Sequence, residues 1–251
     1  MEKNQEIEYL LRIADSSLVM GQRLAEWCGH GPILEEDIAM TNMSLDLIGQ
    51  ARILYAQIAE LEGEGRDEDF YAYRRDVFDF RNVLLCEQPN GDFAITMARQ
   101  FYFSAFLVPF YHALTSSSND SLAAFAAKSL KEVNYHLKHT RDWVIRLGDG
   151  TKESHERMQT AIDALWMYTG EMIEEDNLDL LAKESGLGTD LCLIAESWNK
   201  MVSSTLVEAT LTQPESTWMQ SGGKRGIHSE HLGFILAELQ FLPRAYPDAK
   251  W

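Results

Sequence analysis

The chain has 251 residues, 45% of them hydrophobic and 24% charged, with a formal net charge of −17. That length is enough to bury roughly 70–75% of the unfolded-chain surface in a core of its own, and the composition excludes a disordered chain. The acidic balance argues against nucleic acid, whose phosphates need clustered Lys and Arg, and no run of 18 apolar residues points to a membrane span.

The first helical pattern covers about 6 to 28, with Leu10, Ile13, Ala14, Leu18, Leu24 and Cys28 near helical spacing. Gly29-His-Gly-Pro32 closes it and opens the next. The second runs from Ile33 to about Leu61, with two adjoining apolar stripes, and is expected to be buried among others. An acidic turn over 62 to 69 leads to a shorter helix over about 70 to 86, closed by Glu87-Gln-Pro-Asn-Gly-Asp92. A fourth helix over 93 to 115 carries Pro109 and is too polar and too short to cross a membrane, so it reads as a core helix. The fifth covers 121 to 147 behind an Asn119 or Asp120 cap, and the sixth runs from a Thr151 cap to about Glu175. A seventh over 188 to 212 and a last helix from His228 to about Leu242 complete the chain. Strand alternation, linkers and repeats are lacking. The expectation is an all-α bundle of long helices with additional shorter C-terminal helices, as one domain over 1–251.

Cys28, Cys86 and Cys192 are odd in number and form no Cys-x-x-Cys, so they read as buried small hydrophobes of a reducing, cytoplasmic setting. The N-terminus lacks the apolar stretch of a signal peptide.

Long helices around a polar interior are how ferritin-like proteins hold two irons, using Glu-x-x-His pairs whose spacing puts both ligands on one helix face. None of the seven histidines has an acid three positions earlier. On the second helix Asp46 is followed at that spacing by Gly49, with Asn42 and Gln50 nearby; on the fifth, Glu132 is followed by Tyr135, with His136 one position off. Asp46, Gly49, Glu132, Tyr135 and His136 are therefore the positions of a lost metal site or of an ordinary buried polar network. Both readings leave the chain without metal and without catalytic residues. Asp46 is expected to be buried and hydrogen-bonded.

Other patterns say less. Glu171, Glu174 and Glu175 read as a solvated face, and His228-x-Glu230-His231 as a helix start capped by Ser229 or Glu230. Gly222-Gly-Lys-Arg-Gly226 is a basic stretch in an acidic chain: either a flexible exposed loop or, through Lys224, Arg225 and His228, a contact for a partner or a phosphate group. No Walker, dinucleotide, nucleophile-elbow or His-Glu-x-x-His motif is present.

Several longer strings resemble a known family: Gln22-Arg-Leu-Ala-Glu-Trp-Cys-Gly-His30, Leu45-Asp-Leu-Ile-Gly-Gln-Ala-Arg52, Glu87-Gln-Pro-Asn-Gly-Asp-Phe93, Ala98-Arg-Gln100, Lys131-Glu-Val-Asn-Tyr-His-Leu137 and Gly222-Gly-Lys-Arg-Gly-Ile-His-Ser-Glu-His-Leu-Gly233. They resemble the C subunits of bacterial phenylacetyl-CoA epoxidase over nearly the whole chain. The resemblance implies a ferritin-like fold and a structural, non-catalytic subunit that stabilises a separate di-iron catalytic subunit in aerobic phenylacetate breakdown. An accessory subunit and a reductase would be further partners, and a homo-oligomer the form of the isolated chain. No cofactor is expected here; the di-iron centre is expected in the partner, and Lys224, Arg225 and His228 would meet the partner or the CoA ester. Exposed aromatics such as Trp218, Tyr246 and Trp251 would be partner contacts. The competing reading is a self-sufficient metal-dependent oxygenase using Asp46, Glu132, His136 and Glu171.

Overall fold

A computed structural model describes residues 1–215, 218–247 and 249. In chain order the helices are α1 (Lys3–Ala25), α2 (Leu34–Glu62), α3 (Glu68–Tyr73), α4 (Leu84–Glu87), α5 (Phe93–Leu114), α6 (Asp120–Gly148), α7 (Lys152–Trp166), α8 (Gly170–Ile173), α9 (Asn177–Glu184), α10 (Leu191–Glu208), α11 (Glu230–Leu239) and α12 (Phe241–Ala245). Single 3₁₀ turns lie at Val77–Asp79 and Gly223–Arg225. No strand occurs among the described residues, so the all-α class and the long helices of the ferritin-like type are as expected. The helices gather into two compact units, one of residues 2–89 with 222–251, the other of residues 90–221.

In the first unit α1 and α2 form an antiparallel hairpin. Tyr55 on α2 donates to Asp15 on α1 at 2.6 Å, and Ser44 donates to the carbonyl of Gly21 at 2.8 Å. The helices approach closely at Gly21, where a Cβ would lie 3.0 Å from Ile48 Cγ1 and 3.3 Å from the Ser44 carbonyl. The helix expected over 70 to 86 is broken into α3, a 3₁₀ turn and α4. The reason is that side chains, not a helical ladder, satisfy this backbone. Arg75 donates to the carbonyls of Tyr71 and Asp79, and Asp15 accepts from the Arg81 N–H at 2.7 Å.

Asp15 and Arg75 are both buried, paired at 2.5 and 3.1 Å, and Tyr55 completes the cluster. A buried pair stands only when its remaining hydrogen-bonding capacity is filled. Here it is filled by Tyr55, Arg81 and the two carbonyls, while the guanidinium lies 4.3 Å over the Phe80 ring. The sequence reading missed this cluster. At the C-terminal end Gln240 donates to the carbonyls of Ala72 and Arg75, tying α11 and α12 to the same segment.

In the second unit α5 is the central helix, with nearly every side chain from Ala94 to Leu107 buried, and Pro109 lies within it without ending it. Trp198 Nε1 donates to the Tyr102 carbonyl at 3.0 Å. The rings of Tyr102, Trp166 and Trp198 lie 5.7–5.9 Å apart in all three pairs. Such pairs contribute about 0.5–1.5 kcal/mol each beyond the area they bury. The expected sixth helix stops at Trp166, not near 175, because the returning chain takes its end: Gln220 N donates to the Met167 carbonyl at 2.8 Å. The sequence reading also missed α9, which opens on a reciprocal Asp176/Asp179 cap. It set the seventh helix too long; α10 covers only Leu191–Glu208. The Asn119, Thr151 and Ser229 caps are as expected.

Candidate functional site

The positions expected to hold or to have lost a metal fall on α2 and α6. Asp46, expected to be largely buried, is half-buried; Asn42 is exposed and Gln50 is buried. Gly49 offers no donor atom, and a Cβ there would meet nothing within 4 Å. On α6, Glu132 is half-buried and His136 fully buried, while Tyr135 turns outward with its ring 5.8 Å from that of His139. The acid–imidazole geometry of a di-iron site therefore has no second ligand at 49, and at 135 a phenol on the wrong side.

Glu171 is buried, not solvated, whereas Glu174 is exposed and Glu175 half-buried. Among the described residues the metal-capable group is Glu175, Asp190 and Cys192. Asp190 is already engaged there, holding the Lys183 ammonium at 2.7 Å and capping α10 through the Cys192 N–H. The Lys183 hydrogen bond keeps the Asp190 carboxyl below its ordinary range. Cys28 and Cys192 are exposed and only Cys86 is buried, so the expectation of three buried thiols holds for one.

The best-built polar site is the segment 222–231, which is packed against residues 78–87 and is not a plain surface loop. A Cβ at Gly223 would lie 2.1 Å from the Asn82 carbonyl, so only glycine allows this backbone approach. Gly226 has φ +79° and closes the 3₁₀ turn, hydrogen-bonded to Gly223. Lys224 is buried as a result, leaving Arg225 as the exposed cation of the pair.

Behind the segment stands Glu87 on α4, fully buried. Its carboxylate accepts from the Ser229 N–H at 2.7 Å and from Asn82 Nδ2 at 3.3 Å, and faces His228 Nδ1 at 3.1 Å. Its main-chain carbonyl accepts from Arg23 Nε and Nη2. The other imidazole nitrogen of His228, Nε2, lies 2.9 Å from the Phe80 carbonyl. Both ring nitrogens of His228 thus lie against oxygen atoms, one from the Glu87 carboxylate and one from the Phe80 main chain. Chemically, the arrangement clamps backbone: Glu87 fixes the start of α11 and holds His228 inward, so His228 is not a surface contact of this chain. Sequence reasoning took Glu87 as part of a turn. The available signal was an acid closing the apolar run Val83-Leu-Leu-Cys86, where a solvated turn would not begin.

Of the exposed aromatics expected at an interface, Trp218 and Tyr246 are indeed exposed, and Trp251 lies outside the described residues. No helix among the described residues is long and apolar enough to cross a membrane.

These features define an all-α protein of the ferritin-like class in which no histidine stands three residues after Asp46 or Glu132 and a buried polar cluster around Glu87 holds a chain segment in place. The chain belongs to the phenylacetic acid catabolic protein family, whose model matches residues 1–251. It is similar to the C subunit of the 1,2-phenylacetyl-CoA epoxidase of Escherichia coli (strain K12), with 46% identity over 248 residues, covering 99% of this chain and 100% of that relative.

Proposed function

We propose that this chain is a structural, non-catalytic member of a cytoplasmic phenylacetyl-CoA epoxidase complex, where it binds and stabilises a di-iron catalytic subunit. The observation that carries the reading is the 46% identity, end to end, with the C subunit of such an enzyme. The residues of α2 and α6 support it, since Gly49 and the outward Tyr135 do not fit a di-iron ligand set. The iron chemistry then belongs to the partner, and this chain contributes by binding the partner's folded form, which stabilises that form by mass action.

Reconstitution tests this. Catalytic subunit, accessory subunit and reductase are assayed for phenylacetyl-CoA epoxidation with and without this chain, alongside the melting temperature of the catalytic subunit. Loss of activity or of thermal stability in its absence is expected. Full activity and an unchanged melting temperature without it would refute the role.

A further inference from the structure

Of the eight asparagines, Asn90 is the one followed by glycine. An Asn-Gly pair is ordinary turn chemistry, and Gly91 has φ +56°, in the left-handed region that favours glycine. The same pair is also where a protein chain attacks itself most easily. With no side chain to hinder it, the glycine nitrogen reaches the asparagine Cγ and closes a five-membered ring. The Gly91 N–H donates to no acceptor among the described residues, which leaves that nitrogen free to act as the nucleophile. Asn90 is half-buried, so water and hydroxide reach it.

The way the carboxamide is held sets this pair apart from a plain turn. Arg99, a buried residue of α5, donates from Nη2 to Asn90 Oδ1 at 2.5 Å. A guanidinium on a carboxamide oxygen draws charge from Cγ and stabilises the oxyanion that forms when a nucleophile adds there. The same guanidinium holds a carboxylate more strongly than a carboxamide, because an ionised acceptor strengthens the bond. Both effects push residue 90 in one direction, the first on the rate and the second on the product.

We propose that Asn90 is a self-modification site, at which the folded chain converts its own carboxamide into a carboxylate held by Arg99. The Gly91 nitrogen gives its proton to solvent and bonds to Asn90 Cγ. The Cγ–Nδ2 bond then breaks and ammonia leaves, giving a cyclic imide. Water adds at Cγ, where Arg99 withdraws charge, and the bond from Cγ to the Gly91 nitrogen breaks, leaving aspartate and an intact main chain. The net reaction consumes one water and releases one ammonia, with no oxidant, metal or partner involved. Opening at the main-chain carbonyl would give isoaspartate instead. The donor on that oxygen is the neutral hydroxyl of Thr96, Oγ1 at 3.0 Å, a weaker activator than the cation on Oδ1.

The test incubates the full chain in mildly alkaline buffer, folded and in parallel unfolded in urea, and follows residue 90 by peptide mass mapping. The urea sample sets the time at which an unrestrained Asn-Gly has converted, and isoaspartate is counted by enzymatic methylation. By that time Asn90 of the folded chain should have converted mainly to aspartate, whereas the unfolded chain should give mainly isoaspartate. An Asn90→Asp variant should fold and melt about 2–4 °C higher than wild type, the size of one strengthened hydrogen bond in a chain of this length. Asn90 left intact in the folded chain, or isoaspartate as its main folded-state product, would overturn the proposal. An Asn90→Asp variant that melts no higher than wild type would show that Arg99 does not favour the carboxylate, and would overturn it as well.

Discussion

His228 Nδ1 lies 3.1 Å from Glu87 Oε2, and both side chains are wholly out of solvent. Removing a buried acceptor leaves its partners, here the Ser229 N–H, Asn82 Nδ2 and the imidazole, unsatisfied, at a cost of about 1–3 kcal/mol. Glu87→Ala is therefore expected to lower the unfolding free energy by that amount, measured by urea titration. It should also raise amide exchange at Ser229, whose N–H loses its acceptor. Unchanged protection at Ser229 would show that Glu87 does not hold the segment.

A second buried cluster gives a graded series. Tyr55→Phe removes one hydrogen bond to a charged acceptor, about 1.5–3 kcal/mol. Asp15→Ala strands the Arg75 guanidinium and should cost about 3–5 kcal/mol. Equal effects for the two variants in the same denaturation experiment would contradict the placement of Arg75 on Asp15.

Buried phenols make the fold sensitive to alkali. Burial, above any neighbouring charge, raises Tyr55 and Tyr102 well above the ordinary value of 10.0. Above about pH 10 the unfolded chain releases these protons while the folded chain keeps them, so stability falls as pH rises. The contribution is complete below pH 10.0, the unfolded value. Tyr55→Phe should shallow the decline of melting temperature across that window. On the acid side the sign reverses. Backbone N–H groups, that of Gly31 first, lower Asp37, and the Lys183 hydrogen bond lowers Asp190, both from 3.8. Their contribution is present above that value and lost as pH falls through the lowered ones.

Two glycines of the α1–α2 hairpin should respond oppositely to alanine. Gly49→Ala adds a methyl where nothing lies within 4 Å. It should stabilise the isolated chain by about 0.5–1 kcal/mol. Gly21→Ala presses a methyl against Ile48 and the Ser44 carbonyl at 3.0 and 3.3 Å. Parting the helices there should outweigh the gain in helix propensity. Thermal melts of both variants settle the sign, and stabilisation at Gly21 would refute the close approach.

The long helices were legible because their signals are local. Apolar spacing set α2, α5 and α6, and Asn119, Thr151 and Ser229 marked starts that the structure confirms. The 70–86 stretch was misread because its backbone is satisfied by Asp15 and Arg75, and the partner 66 residues away from Arg81 leaves no mark on the local pattern. Glu87 and Gly223 were misjudged for the same reason. An acid beside Pro89 looks like a turn, and a glycine pair looks loose, until the chain returns from 222 to pack against 82. That no histidine follows an acid at three-residue spacing was readable directly, since absence of a residue pattern needs no fold.

The unit of residues 2–89 is completed only by residues 222–251, so the unit of residues 90–221 is an insertion within it. During synthesis the inserted helices emerge whole while Glu87 still waits for Ser229, 142 residues downstream. The α1–α2 hairpin must then spend that interval with Glu87 and the carbonyls of Ala72 and Arg75 unsealed. Nascent chains stalled before residue 222 should therefore present a protease-resistant middle and a cleavable beginning, the reverse of the usual order in which the earliest residues are protected first.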